Sequence, residues 1–139
     1  MGLHGGRAAR LLIAAGLCLA LAGCGPKRPE AARVLLDGVA WDGKPLPQGD
    51  GPRVYITLDG AELIDLPFDQ AREVRIVQPG VGENTVSITG ESVYMAHADC
   101  ENQDCVNMGE VTRDNLELRV MGGFIVCLPH RLSVEVRGD

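Results

Sequence analysis

The chain has 139 residues, with 13 basic against 19 acidic side chains, a net charge of −6 and only 4% aromatic residues. That length holds one modest domain. The acidic balance argues against a nucleic-acid binder, since phosphates are repelled without a basic patch.

Arg7 and Arg10 precede an apolar run, Leu11 to Ala22, which is shorter than the ~20 residues a membrane-spanning helix needs. It ends in Leu21-Ala22-Gly23-Cys24, a match to the bacterial lipobox, in which small residues admit the peptidase and the cysteine thiol receives the diacylglyceryl group. Residues 1–23 therefore read as a lipoprotein signal peptide and Cys24 as the lipidated start of the mature chain. Cleavage removes two basic residues and leaves 11 against 19, a net of −8. Lipid and not charge then tethers the module, at ~0.8 kcal/mol per buried methylene. Gly25 is not the aspartate that retains lipoproteins in the inner membrane, so the periplasmic face of the outer membrane is expected in a Gram-negative source.

Residues 24–51 are rich in Gly, Pro and charge and read as a flexible tether. Within them Val34 to Leu36 and Trp41 form a short apolar patch that docks as an edge strand or packs Trp41 on the domain. From residue 52 to 139 short β-type runs alternate with turn residues. Arg53 to Leu58 alternates, Asp59-Gly60 marks a type I′ hairpin turn, and Ala61 to Leu66 returns. Glu73 to Val77, Thr85 to Thr89 and Val93 to Ala96 follow, and then Leu116 to Val120, Phe124 to Leu128 and Leu132 to Val136. Asn115 to Gly122 is too short to be read as a helix. The expected fold is all-β, a small sandwich or partly open barrel of about seven to eight short, mostly antiparallel strands.

The strand pair around Asp59-Gly60 is followed by an N-x-V-x-I strand (Asn84, Val86, Ile88), then A-D-C-x4-C-V-x-x-G (Ala98 to Gly109) and I-V-C-L-P-H-R-L (Ile125 to Leu132). In that order they resemble the NusG domain II-like family, small β modules similar to the inserted second domain of some bacterial transcription factors. The resemblance spans roughly Arg53 to Gly138 and implies the fold. Glu101 stands where the family usually has a proline after its first cysteine. Transcription function does not come with the resemblance, because an exported acidic module meets neither RNA polymerase nor DNA.

Cys100, Cys105 and Cys127 allow three single-disulfide pairings, each leaving one thiol. A bond from either loop cysteine to Cys127 closes some 23 to 28 residues, worth roughly 3 to 3.5 kcal/mol by chain entropy. A Cys100–Cys105 bond closes a small loop and is the more redox-labile choice. One stapling disulfide is the expectation, since export permits it and a small β domain needs it. Cys127 falls in the most apolar strand run, which is expected to be central or covered on each side, with Ile125 and Cys127 on one face and Cys127 buried. The rival is a metal site of Cys100, Cys105, Cys127 and His130, with His97 near in sequence. His97 and Cys100, three apart, converge only if the strand breaks between them. His130 after Pro129 is expected to be a surface or capping side chain.

Ser87, Ser92 and Ser133 sit in strand patterns without a nucleophile motif. Asp99, Glu101 and Asp104 lack EF-hand spacing and read as a solvated loop. No catalytic residue and no cofactor is expected. The resulting reading is a lipid-anchored extracytoplasmic module that binds an envelope protein, with no nucleic-acid partner. The alternative is an envelope redox or electron-transfer accessory using the cysteine and His130 cluster.

Overall fold

In Arg53 to Leu58 every second side chain is apolar, and Val54, Ile56 and Leu58 are all fully buried. The computed structural model describes residues 32–138; the signal segment and Cys24 lie outside them. In chain order the described residues form β1 (Arg33–Leu36), β2 (Val39–Ala40), β3 (Arg53–Leu58), β4 (Ala61–Pro67), β5 (Arg72–Gln78), β6 (Gly82–Ile88) and β7 (Ser92–Ala98). The helical turn α1 (Asp104–Asn107) comes next, then β8 (Val111–Thr112), β9 (Phe124–Cys127) and β10 (Leu132–Arg137). One sheet runs β2-β1-β5-β6-β7-β8 and the other β4-β3-β10-β9, with every pairing antiparallel. The sheets stay open, so the fold is a small sandwich and not a barrel.

The Asp59-Gly60 turn forms as its chemistry requires, with φ of 52° and 78° at the two central positions. Two bulges then adjust the alternation. Leu63 is the extra residue of β4, so Leu63 and Ile64 are both buried. Ala96 is the extra residue of β7, so exposed Ala96 and His97 separate buried Met95 from buried Ala98. Apolar side chains from both sheets, among them Ile56, Ile76, Val86, Ile88, Ile125 and Val134, fill the space between them with Phe68.

Three expectations are corrected. The boundary at residue 52 moves toward the N-terminus, because the β1–β2 hairpin is an edge of the larger sheet and pairs with β5 from Arg33↔Val77 to Leu36↔Val74. Val34 is buried, and Trp41 packs against the core through its side chain. The edge-strand option for this patch is the one realised, and residues 33–40 are not tether. Leu116 to Val120 is a turn and not a strand. The Asn115 side chain accepts from the Thr112 N–H, and the Leu118 and Arg119 N–H groups bond back to the Asn115 carbonyl, so local bonds replace a ladder. Finally, among the described residues β9 is an edge strand paired with β10 alone. Its inward residues Ile125 and Cys127 are buried as the alternation predicts, while Phe124 and Leu128 face water.

Candidate functional site: three thiols beside an exposed apolar loop

Cys100 lies just beyond β7, Cys105 on α1 and Cys127 at the end of β9, so the site spans both sheets. The chain reverses between the first two at Gln103, whose φ of 53° is in the left-handed region. The Gln103 amide closes that loop by donating to the carbonyls of Ala98 (2.6 Å) and Cys100 (2.5 Å). All three cysteines are buried and free. Cys100 Sγ sits 3.9 Å from Cys105 Sγ and 3.8 Å from Cys127 Sγ. All three sulfurs lie within 4.8 Å of one another. Burial first, and then the Cys127 and Cys100 thiols beside it, push the Cys105 thiol up to about 12. A dithiol switch needs thiolate at neutral pH, and this environment opposes it. A cavity of about 40 Å³ opens beside Cys105 and Cys127, with Asn102 and Asp104 in its lining.

His130 is not a surface or capping side chain. It is 97% buried, because the turn from Leu128 to Arg131, with Arg131 at φ 54°, folds it under the sheets. Its Nδ1–H donates to Asn84 Oδ1 (2.7 Å), and its Nε2 lies 3.3 Å from Asp99 Oδ1. The Gln78 amide donates to its backbone carbonyl (3.0 Å). With both ring nitrogens engaged, His130 stands apart from the thiol triangle, and the four-ligand set of the sequence reading reduces to three cysteines. His97 points outward on β7, its side chain 57% exposed and 3.7 Å from Glu83 Oε1. The strand does not bring it to Cys100.

Sequence reasoning missed the partners of His130. A signal was present: Asn84 shares a strand face with Val86 and Ile88, and an amide on a buried face needs a buried partner. It also missed an exposed apolar surface on the loop that Arg119 ties to Met108, just past α1. Between β8 and β9, Leu118 is 84% exposed, Val120 fully and Met121 partly so; Phe124, which opens β9, and Leu128, just beyond Cys127, also reach water. Arg119, between Leu118 and Val120, turns the other way. Its guanidinium donates to the carbonyls of Met108 (3.0 Å), Gly122 (2.7 Å) and Phe124 (3.1 Å). One anchored arginine thus holds two apolar neighbours in water.

The sequence profile of the family described as NusG domain II matches residues 45–139. No curated protein matches the chain. Among solved structures, the crystal structure of the Lin0431 protein from Listeria innocua is similar, with 24% identity and a TM-score of 0.54, covering 65% of this chain and 99% of that one. A DUF1312 family protein from Enterococcus faecalis is similar at 15% identity and a TM-score of 0.54, over 63% of this chain and 98% of that one. Both likenesses concern the fold.

Proposed function

The chain belongs to the NusG domain II family, and we propose that it is a lipid-anchored β module of the bacterial envelope that docks a protein partner without catalysing a reaction. The observation that supports this reading is the β8–β9 loop. Its apolar side chains are exposed while Arg119 fixes the backbone, so docking costs little ordering. Apolar side chains clustered on one exposed surface mark interaction sites, where single ones do not. The partner that fits has an apolar contact surface with a basic rim, because the mature chain carries −8.

Anchoring rests on the Leu21-Ala22-Gly23-Cys24 signal. The residues between Cys24 and β1 reach at most about 30 Å when extended, so such a module works close to the membrane. In a source with two membranes, the periplasmic face of the outer one is the proposed address. Labelled palmitate incorporated by the wild type and lost in Cys24→Ala is the expected result for the anchor. Recovery of one envelope protein from detergent extract by the wild type, and its loss in Leu118→Asp/Val120→Asp, is the expected result for docking. Unlabelled wild type, or equal recovery by both forms, would contradict the respective half.

A further inference from the structure

The thiol triangle has a use that docking leaves open. We infer that Cys100, Cys105 and Cys127 form a site for one thiophilic d10 cation of the zinc class, held by three thiolates with a water as fourth ligand. Zinc binds cysteine sulfur at roughly 2.3 Å in a tetrahedral arrangement, which sets neighbouring sulfurs about 3.8 Å apart. The Cys100 sulfur lies 3.8 and 3.9 Å from the other two. A disulfide brings one pair to about 2.05 Å and leaves the third thiol without a role. Here Cys100 stands equally near both neighbours, and no pair is singled out.

The surroundings suit a cation. The cavity of about 40 Å³ beside Cys105 and Cys127 has room for a water, and Asn102 and Asp104 in its lining offer that water polar partners. Gln103, whose amide bonds the Ala98 and Cys100 carbonyls, fixes the loop that carries Cys100. Among the described residues neither histidine competes: His130 is engaged with Asn84 and Asp99, and His97 faces solvent. In the binding step each of the three thiols gives its proton to water as its sulfur bonds the cation. One divalent ion enters, three protons leave and no electron moves. The cation offsets two of the three buried negative charges, where a monovalent ion offsets one.

The test uses the full chain with Cys18→Ala and Cys24→Ala, which leaves the three site cysteines as its thiols, purified without oxygen and freed of reductant. Thiols are counted in denaturant, and zinc ion alone is titrated against a chromophoric chelator. The expected result is three free thiols, one zinc per chain, and up to three protons released per ion. Zinc-edge X-ray absorption of this chain, loaded, should show three sulfur neighbours and one oxygen, without the imidazole signature. Cobalt(II) in place of zinc should give a sulfur-to-metal charge-transfer band and tetrahedral visible bands. Cys100→Ser, Cys105→Ser and Cys127→Ser should each weaken binding tenfold or more. The spectra of the chain with all three site cysteines carry the test if a serine variant fails to fold. A native disulfide leaving one thiol, three thiols that take up no zinc, or an oxygen-only neighbour shell would each overturn the inference.

Discussion

His130 Nδ1–H donates to Asn84 Oδ1 at 2.7 Å, which ties the β9–β10 turn of one sheet to β6 of the other. Both residues are buried, so neither can turn to water when the other is removed. Asn84→Ala should cost ~1–3 kcal/mol through the imidazole nitrogen left unpaired. His130→Phe should cost a similar amount through the stranded amide. The double variant should be less destabilised than the two losses added, because the orphaned partner goes with it. Urea midpoints of the four proteins measure this, and strict additivity would mean that the bond does not couple the sheets.

Gly82 is the residue that lets His130 come so close. Its φ is 152°, and a Cβ there would sit 2.5 Å from both His130 Nε2 and Asp99 Oδ1. Gly38, at φ 81°, meets nothing within 4 Å. Both Gly→Ala changes carry backbone strain, but only Gly82→Ala adds overpacking, at ~1–3 kcal/mol. Gly82→Ala should therefore lower the melting temperature more than Gly38→Ala, by thermal unfolding followed with circular dichroism.

Asp37 gives the domain an acid-sensitive contact at its edge. The Glu73 N–H (2.9 Å) holds the Asp37 carboxyl below its usual value; burial opposes it as the next largest effect, and Arg72 (2.7 Å) adds to the lowering. A carboxyl with a lowered folded pKa contributes stability above its unfolded pKa of ~3.9, and that contribution is lost as pH falls through the lower folded value. Asp37→Asn should leave a stability profile that is flatter below about pH 4. The difference should be small, since the Arg72 pair is solvated. Chemical unfolding across that pH range reads it directly.

The exposed loop should be dispensable for folding. Leu118→Asp and Val120→Asp replace side chains that bury almost nothing, so unfolding free energy should stay within ~0.5 kcal/mol. Arg119→Ala removes three bonds to carbonyls and should loosen the loop. Amide exchange at residues 115–124 should rise in that variant and not in the other two.

Alternation and turn chemistry carried most of the β architecture in the sequence. Val54, Ile56 and Leu58 are buried and Asp59-Gly60 turns as its φ preferences dictate. Placement within the sheet was less legible, because a strand's own residues do not name its neighbours. The run Phe124 to Leu128 is apolar on both faces, as a central strand would be, yet β9 lies at an edge with Phe124 and Leu128 in water. Leu116 to Val120 has strand-like composition, but Asn115 and Arg119 satisfy the backbone locally. The convergence of three cysteines was visible as a possibility, and the near-equal distances of Cys105 and Cys127 from Cys100 were not, since they depend on the reversal at Gln103 and on where β9 ends. His130 was misplaced because its burial depends on Asn84, Asp99 and Gly82, which are distant in sequence.

Docking through the β8–β9 loop is tested most directly by photocrosslinking in intact cells. A photoreactive residue is placed at Val120, fully exposed, or as a control at Glu62 on β4, exposed in the other half of the smaller sheet. The account predicts one discrete protein adduct from position 120, absent from position 62 and lost when Leu118→Asp is added. Adducts with lipid alone, or the same adducts from both positions, would contradict it.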